Sequence, residues 1–368
     1  MKLLIRALAL LLISVTGLSV LAHAAETKAP AAAKKSAKAK SAPAAALPSL
    51  TWRGDYCTAR AFMKDLAHDY EAAKLGKVTL QPFSTVSGLD AVHDGTVDIA
   101  GSARPPMPDR PEESGTNFIA VAWDGLVMIT SPKNPVSNVT LKQLHDIYLG
   151  RITNWSALGG PDGPINLYAV AAPLDGNEYS LRDLLFHHGD QDVAVPRLYM
   201  NTEKLEEGIS IDPHGLGLTT FSTAHAGSAL KILTIEDVTP STAAIADGTY
   251  PLYSTLFLAV RDDARNKGEI DKFVQFVASE PATAVLRRHG LVPYRDAPNL
   301  VDQQAQRVAF IDARVRPEAL AATSIAGTPV SAPVATADFL PRISDKAQEA
   351  RRVLDERKQQ QAAKPPGS

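Results

Sequence analysis

Three segments of this sequence place glycine, hydroxyl or amide residues at the start of a predicted helix. They span residues 54–58 (GDYCT), 84–88 (STVSG) and 175–177 (DGN). The first backbone N–H groups of a helix have no partner within the helix, and the helix dipole adds partial positive charge at that end. Serine and threonine hydroxyls add further donors. The chemistry that these segments favour is therefore the binding of an oxyanion.

A fourth segment, residues 101–105 (GSARP), follows a predicted strand and carries Arg104, which we expect to face the same site. Backbone N–H groups and hydroxyls would donate hydrogen bonds there, and Arg104 would supply positive charge. Because Ser, Thr, Asp and Asn begin most helices whatever the function, any single segment is weak evidence. The candidate ligand-binding residues are Cys57, Thr58, Ser87, Gly88, Ser102, Arg104, Gly176 and Asn177.

Other catalytic or metal-binding patterns find little support in the sequence. Cys57 is the only cysteine, so no intramolecular disulfide can form, and a lone thiol near a helix start is more often packed than nucleophilic. His187 and His188, near Asp190 and Asp192, would point in different directions on a helix and lack the spacing of a metal motif. There is no nucleophile elbow, Walker A loop or dinucleotide fingerprint. We therefore expect a protein that is not an enzyme and has no metal or cofactor.

The elements that must position these residues alternate between strands and helices from Leu50 to Tyr294. Apolar residues at helical spacing predict helices at 60–73 and 140–148, and apolar runs at 97–100 and 119–130 predict buried strands. This alternation is typical of an α/β fold with largely parallel sheets. About 250 residues remain once the two ends are set aside, which is enough for two lobes.

The stretch from Leu50 to Tyr294 resembles the periplasmic phosphate-binding proteins of ABC transporters. The motifs that carry the resemblance occur in the family's order. They are DGTVDIA (94–100), SARP (102–105), DGL (124–126), NPV (134–136), LKQLHDIYLGRITNW (141–155) and GGP (159–161). The resemblance implies a two-lobed periplasmic-binding-protein fold of type 2, with two hinge strands and a central cleft that closes over its ligand.

The resemblance also implies how the chain divides and what it does. Lobe 1 would comprise residues 49–122 and 251–298, and lobe 2 would comprise residues 123–250, with hinge crossings near 120–128 and 248–258. The protein would be periplasmic and would deliver phosphate or a related oxyanion to an ABC permease. The candidate ligand residues would then meet in the cleft.

The second-lobe motif departs from the family pattern. The family usually has an arginine four residues before a Ser-Gly-Thr turn, whereas this chain has Ala171 and Asp175 at the corresponding positions. A carboxylate about 4 Å from phosphate, at an effective dielectric of about 20, costs roughly 4 kcal/mol per unit charge. This cost is avoided if Asp175 is protonated, if it is turned away from the ligand, or if a monoprotonated phosphate donates a hydrogen bond to it. The alternative is an envelope interaction or sensing protein that keeps the fold but has lost or changed the anion ligand.

The two ends of the chain differ in composition from the part between them. Residues 1–24 have a basic start, an apolar run and a small-residue exit, which predicts a cleaved signal peptide. We expect residues 25–48 to be an Ala/Lys/Pro-rich linker and residues 299–368 to be an extension of largely low order. The net charge of −2, with both signs mixed, gives no reason to expect nucleic acid as a partner. After signal cleavage we expect no membrane span.

Overall fold

The computed structural model of the chain describes residues 47–171, 174–195, 197–224 and 229–316. The predicted signal peptide and nearly all of the predicted linker lie outside these residues, as does the predicted extension from 317 onward. In the ranges that are described, no helix has both the length and the apolar character needed to cross a bilayer.

Twelve strands are present in the described residues. They are β1 (Ser49–Asp55), β2 (Lys77–Phe83), β3 (Ile99–Ser102), β4 (Thr116–Thr130), β5 (Asn138–Val139), β6 (Asn166–Val170), β7 (Arg197–Tyr199), β8 (Gly215–Thr220), β9 (Lys231–Ile232), β10 (Thr234–Ile235), β11 (Tyr253–Arg261) and β12 (Val292–Pro293).

The α-helices of the same residues are α1 (Tyr56–Thr58), α2 (Lys64–Ala72), α3 (Thr85–His93), α4 (Leu141–Tyr148), α5 (Gly176–Phe186), α6 (Thr202–Ile211), α7 (Phe221–Ala224), α8 (Thr242–Ala246), α9 (Lys267–Val277), α10 (Glu280–Arg288), α11 (Asn299–Asp302) and α12 (Gln304–Val315). A π-helical turn (Ala59–Met63) joins α1 to α2, so the predicted helix at 60–73 changes its winding near its start. Short 3₁₀ helices span Pro111–Glu113, Trp155–Leu158 and Tyr294–Asp296.

Ten of the strands form a sheet in the order β2-β1-β3-β11-β4-β8-β6-β7, with β12 and β9 also paired to β4. Pairing is parallel where β1 meets β2 and β3, and where β6 meets β7 and β8. Strands β4 and β11 run antiparallel to each other and to their remaining neighbours. The sequence pattern predicted largely parallel sheets, and the antiparallel pairs arise because the chain crosses between the lobes twice, in opposite directions.

Strand β4 is the first of these crossings. Its residues 116–125 pair with β11 in lobe 1, and its residues 126–130 pair with β8 in lobe 2. The returning chain lies beside it, since Leu126 N donates to Leu252 O at 2.8 Å and Tyr250 Oη donates to Leu126 O at 2.9 Å. The predicted two-lobed α/β fold with two hinge strands is confirmed.

The DGL motif lies at this crossing and stabilises it. Asp124 is buried, and its carboxylate accepts hydrogen bonds from the backbone N–H of Ser222 (3.0 Å) and from the hydroxyl of the same residue, on α7. Burial raises the pKa of Asp124 to about 6. A Cβ atom on Gly125 would lie 2.9 Å from Ile245 Cδ1 and 3.1 Å from Phe221 Cβ, so glycine allows the close approach of α7 and α8 to β4.

Each lobe has its own buried core, and the core of lobe 1 reaches up to the cleft. The side chain of Trp52, a residue of β1, is fully buried in this core. A Cβ atom on Gly54 or Gly101 would lie 2.5 or 2.3 Å from its ring, so these two glycines make room for the indole. Full burial of a large apolar side chain contributes about 1.5–3 kcal/mol to folding.

The start of the C-terminal extension differs from the low order that we expected from residue 299. Residues 299–316 contain α11 and α12, and three of their apolar side chains are buried in the core of lobe 2. They are Leu300, Ile311 and Val315. His187 Nε2, at the end of α5, lies 2.9 Å from Asp312 Oδ1 on α12. Tertiary burial and polar contacts therefore hold these helices on lobe 2, which local composition did not reveal.

Candidate anion-binding site

The first turn of α3 carries a complete capping box. Ser84 Oγ accepts from Ser87 N at 3.1 Å, and Ser87 Oγ accepts from Ser84 N at 3.3 Å. This exchange uses the N–H of Ser87 within the cap. The N–H of Thr85, the first helical residue, is left to bind a partner outside the helix.

A hydrogen bond joins the start of α3 in lobe 1 to the start of α5 in lobe 2. Thr85 N donates to Asp175 Oδ1 at 2.9 Å, and the same oxygen accepts from Gly176 N at 3.1 Å. A Cβ atom on Gly176 would lie 2.6 Å from Thr85 Oγ1 and 2.7 Å from Ala103 Cβ, so the lobes are in contact here. The Asp175 carboxylate thus occupies the place between two helix N-termini that favours an oxyanion.

A second buried carboxylate belongs to the same site. Asp55 caps α1 and accepts from Thr58 N at 2.8 Å and from Thr58 Oγ1 at 2.6 Å. Burial raises the pKa of Asp55 above its usual range, although the hydrogen bonds from Thr58 oppose the shift. Burial likewise raises the pKa of Asp175 to about 7, and the charge of Asp55 adds to that effect. Ionising both carboxylates together is therefore unfavourable.

The side chain of Arg104 is fully buried, and its charge is paired. Its Nη1 donates to Glu113 Oε2 at 3.1 Å and its Nη2 to Glu113 Oε1 at 2.5 Å. Nε donates to Leu174 O at 3.2 Å, which ties lobe 1 to the residue before the α5 cap. The guanidinium carbon also lies 5.4 Å from the centre of the Tyr179 ring. The structure places Arg104 beside the cleft as a link between the lobes, with Glu113 balancing the charge that we expected to face the ligand.

The other predicted ligand residues divide between the cleft and the packing around it. Cys57 is buried, and burial followed by the charge of Asp55 raises the pKa of its thiol, so the thiol stays neutral. Ser102 Oγ donates to Arg104 O at 2.7 Å. Asn177 is buried near the start of α5, and its Oδ1 has no hydrogen-bond partner among the described residues.

Ser87 and Gly88 serve the contact between α3 and β1. Ser87 Oγ accepts from Arg53 Nε at 3.1 Å as well as completing the cap. A Cβ atom on Gly88 would lie 2.4 Å from Arg53 O, so glycine is needed for the close approach of the helix to the strand. Both residues position the helix start rather than face Asp175.

An ion pair also joins the two lobes, on the α1 side of the cleft. Arg60 Nη2 lies 2.7 and 2.9 Å from the two carboxylate oxygens of Glu206 on α6. The Glu206 carboxylate is buried and also accepts a hydrogen bond from Thr219. This pair and the Thr85–Asp175 hydrogen bond together hold the cleft in a closed arrangement.

Sequence reasoning missed two residues of this site, Asp55 and Thr85. Both lie inside the segments that we singled out, at positions that helix-capping rules identify. Asp55 is the N-cap of α1, and Thr85 is the residue after the N-cap Ser84. Assigning Ser84 as the cap would have shown that Thr85, not Ser87, carries the free N–H.

Comparison with known proteins places this geometry in a family. Residues 42–281 match the family model described as a PBP superfamily domain. The chain is 26% identical over 227 residues to the phosphate-binding protein PstS of Borreliella burgdorferi, which covers 59% of this chain and 79% of that protein. It is 28% identical over 236 residues to protein SphX of Synechococcus elongatus, which covers 59% of this chain and 68% of that protein.

Solved structures have the same architecture. An ABC-type phosphate transport receptor from Vibrio cholerae superposes with a TM-score of 0.54 at 26% identity, covering 66% of this chain and 99% of the receptor. A Clostridium perfringens protein with bound phosphate superposes with a TM-score of 0.62 at 19% identity, covering 67% of this chain and 99% of that one. The second likeness shows the fold alone.

Proposed function

Since the chain belongs to the PBP superfamily domain family, whose model matches residues 42–281, we propose that it is a solute-binding protein for phosphate or a closely related oxyanion. Two of the relatives named above are a phosphate-binding protein and a phosphate transport receptor. They favour phosphate binding over the alternative of a sensing protein without an anion ligand. The family consists of binding proteins, and we propose no catalytic step.

The observation that carries this proposal is the position of the Asp175 carboxylate. Its Oδ1 accepts N–H groups from Thr85 of one lobe and Gly176 of the other. A carboxylate oxygen and a phosphate oxygen both carry negative charge, and both accept hydrogen bonds from free backbone N–H groups. The Asp175 carboxylate therefore acts as an internal anion, which a bound phosphate would displace or join.

The two buried carboxylates would set the protonation state of the ligand. An oxyanion that carries a proton donates a hydrogen bond to Asp55 or Asp175 and accepts from the helix N–H groups at the same time. A fully ionised oxyanion such as sulfate has no proton to donate, and each unit of repulsion costs roughly 4 kcal/mol at about 4 Å. The site is thereby suited to phosphate rather than sulfate.

The cellular setting follows from the family and from the start of the sequence. A cleavable signal peptide at residues 1–24 would export the chain to the periplasm. There the closed, loaded form would deliver its ligand to an ABC permease. The closed form differs in shape from the open form, and this difference would allow a permease to recognise the loaded protein.

Calorimetric titration of the purified chain with phosphate, and separately with sulfate, tests the proposal. We expect phosphate to bind and sulfate to bind roughly 100-fold more weakly or not at all. No heat and no thermal shift at millimolar phosphate would show that the fold is kept without the phosphate ligand. Equal affinity for the two anions would show that the buried carboxylates do not face the ligand.

A further inference from the structure

An arginine in the π-helical turn of lobe 1 reaches across the cleft to lobe 2. Arg60 lies in this turn (Ala59–Met63), two residues after Thr58, which donates to the Asp55 carboxylate of the candidate anion site. Its Nη2 lies 2.7 and 2.9 Å from the two carboxylate oxygens of Glu206 on α6. Single π-helical turns within helices occur frequently at functional sites. Both partners of this ion pair belong to the chain, so the pair can form whether or not an anion lies in the cleft.

Glu206 is held in place by its own lobe. Its side chain is 10% exposed, and Thr219 on β8 donates to its Oε1 at 2.5 Å. An exposed ion pair gains little because two mobile side chains must be ordered to form it, whereas here the carboxylate is already fixed. The charge of Glu203, one turn earlier on α6, also favours the cation of Arg60. The pair is therefore better placed to hold the lobes together than an ordinary surface ion pair.

A chain of buried hydroxyl groups leads from Glu206 to the hinge. Its members, in order, are Thr219, Thr223, Thr220 and Ser222. Neighbouring hydroxyl oxygens along this hydroxyl chain lie 3.1, 3.1 and 3.2 Å apart. Its first member donates to Glu206 and its last to Asp124, the buried carboxylate of the hinge crossing. Because each hydroxyl both donates and accepts, a change at one carboxylate alters the hydrogen bonds that reach the other.

We propose that Arg60 and Glu206 form a latch that holds the lobes closed, and that the hydroxyl chain ties this latch to the hinge. The inference rests on the proposed function, since the latch assists the closure that captures phosphate. Glu206 is thus a positioning residue, because it acts through lobe closure rather than by touching the ligand. When the binding-competent form is only partly populated, the apparent affinity falls by that fraction. Loss of the latch therefore opens the protein and weakens phosphate binding.

Arg60→Glu tests the latch, because it places two carboxylates across the cleft. The Arg60 side chain is 44% exposed, so its replacement leaves the cores of both lobes intact. Small-angle X-ray scattering of the purified chain without phosphate should show a larger radius of gyration than for the wild type. Calorimetry should show phosphate binding about tenfold weaker or more. Adding Glu206→Gln to Arg60→Glu removes the repulsion and should recover part of both effects.

The hydroxyl chain is tested at its hinge end with Ser222→Ala. This change removes the hydroxyl that bonds Asp124 and leaves the Ser222 N–H bond to the same carboxylate (3.0 Å) in place. We expect Ser222→Ala to weaken phosphate binding several-fold in the wild type and clearly less in an Arg60→Gln background, because its effect passes through the latch. Equal effects in the two backgrounds would overturn the tie to the hinge.

Lys204→Glu is the matched control, because Lys204 also pairs with a carboxylate on α6 but its partner Glu207 lies in the same lobe. This control should scatter and bind phosphate like the wild type. An unchanged scattering curve for ligand-free Arg60→Glu, or no recovery on adding Glu206→Gln, would overturn the latch. Scattering needs no phosphate, so the two proposals fail separately. If Arg60→Glu opens a chain that never binds phosphate, the latch stands and the phosphate proposal does not.

Discussion

The Oδ1 atom of Asp175, which begins a helix of lobe 2, accepts a hydrogen bond from the backbone N–H of Thr85, which begins a helix of lobe 1, at 2.9 Å. These two residues are 90 positions apart in the chain. The contact joins the two lobes directly and puts a carboxylate at the convergence of two helix dipoles. Under the proposed function, ligand binding, lobe closure and the protonation of one side chain are coupled at a single atom.

Replacing Asp175 with asparagine should stabilise the folded protein at alkaline pH. The pKa of Asp175 is raised from 3.8 to about 7, so the folded state holds a proton that the unfolded state releases, and stability falls as pH rises from about 4 to 7. The asparagine side chain keeps the acceptor oxygen and the cap but has no charge. We expect Asp175→Asn to gain about 2–4 kcal/mol at pH 8 and little at pH 4, measured by urea unfolding.

The matched control for this variant is Asp94→Asn. Asp94 is exposed at the opposite end of α3, so its replacement makes the same chemical change outside the cleft. The stability of this control should follow that of the wild type at each pH. A gain for Asp175→Asn that is the same at pH 4 and pH 8 would mean that folding does not raise the pKa of this carboxyl group.

Gly176→Ala should impair ligand binding by keeping the lobes apart. The new Cβ would lie 2.6 Å from Thr85 Oγ1 and 2.7 Å from Ala103 Cβ, both in the opposite lobe. Overpacking of this kind costs about 1–3 kcal/mol, which corresponds to roughly 5- to 150-fold weaker phosphate binding. Gly268→Ala on α9, where nothing lies within 4 Å of the new atom, is the control and should bind normally. Undiminished affinity in Gly176→Ala would show that binding does not need this contact.

Arg104→Gln should destabilise the fold, because the buried Glu113 carboxylate then keeps only its ion pair with Arg110, whose Nε lies 3.2 Å from Glu113 Oε1. Both side chains are almost wholly buried, and breaking such a pair completely costs about 3–5 kcal/mol, so with Arg110 still in place we expect a loss of up to that size. Urea unfolding measures the loss, and the double variant Arg104→Gln with Glu113→Gln should recover part of it. If Arg104→Gln instead unfolds like the wild type and loses only phosphate affinity, the arginine is a direct ligand, as its place in the sequence first indicated.

Much of the fold was predictable because local hydrophobic patterns predict its strands and helices and because the family motifs indicate where the hinge lies. The apolar run at 119–130 became β4, and the DGL motif marks the hinge because Asp124 and Gly125 each satisfy a contact made at that crossing. The helices at 299–316 escaped prediction because burial of their apolar side chains against lobe 2 stabilises them, and composition does not show a tertiary contact.

The site was predictable only in outline. Helix starts drew attention to segments that the structure brings together, but the partners of their side chains depend on how the two lobes meet. Glu113 neutralises Arg104 from nine residues away through a turn that no motif indicated. The reach of Asp175 to Thr85 depends on the closed arrangement of the lobes, which capping rules for either helix alone do not contain.

The most direct test of phosphate binding at this cleft is the affinity of the wild type and of Asp175→Asn for phosphate at pH 6 and pH 8, measured by calorimetry. Phosphate itself changes protonation over this interval, so the two proteins are compared at each pH. We expect similar affinities at pH 6, where Asp175 is largely neutral. At pH 8 we expect Asp175→Asn to bind phosphate about tenfold more tightly, because the ionised wild-type carboxylate competes with phosphate for the Thr85 N–H more strongly than a neutral amide oxygen does. Identical affinities at both pH values, or no phosphate binding by either protein, would contradict a phosphate site at Asp175.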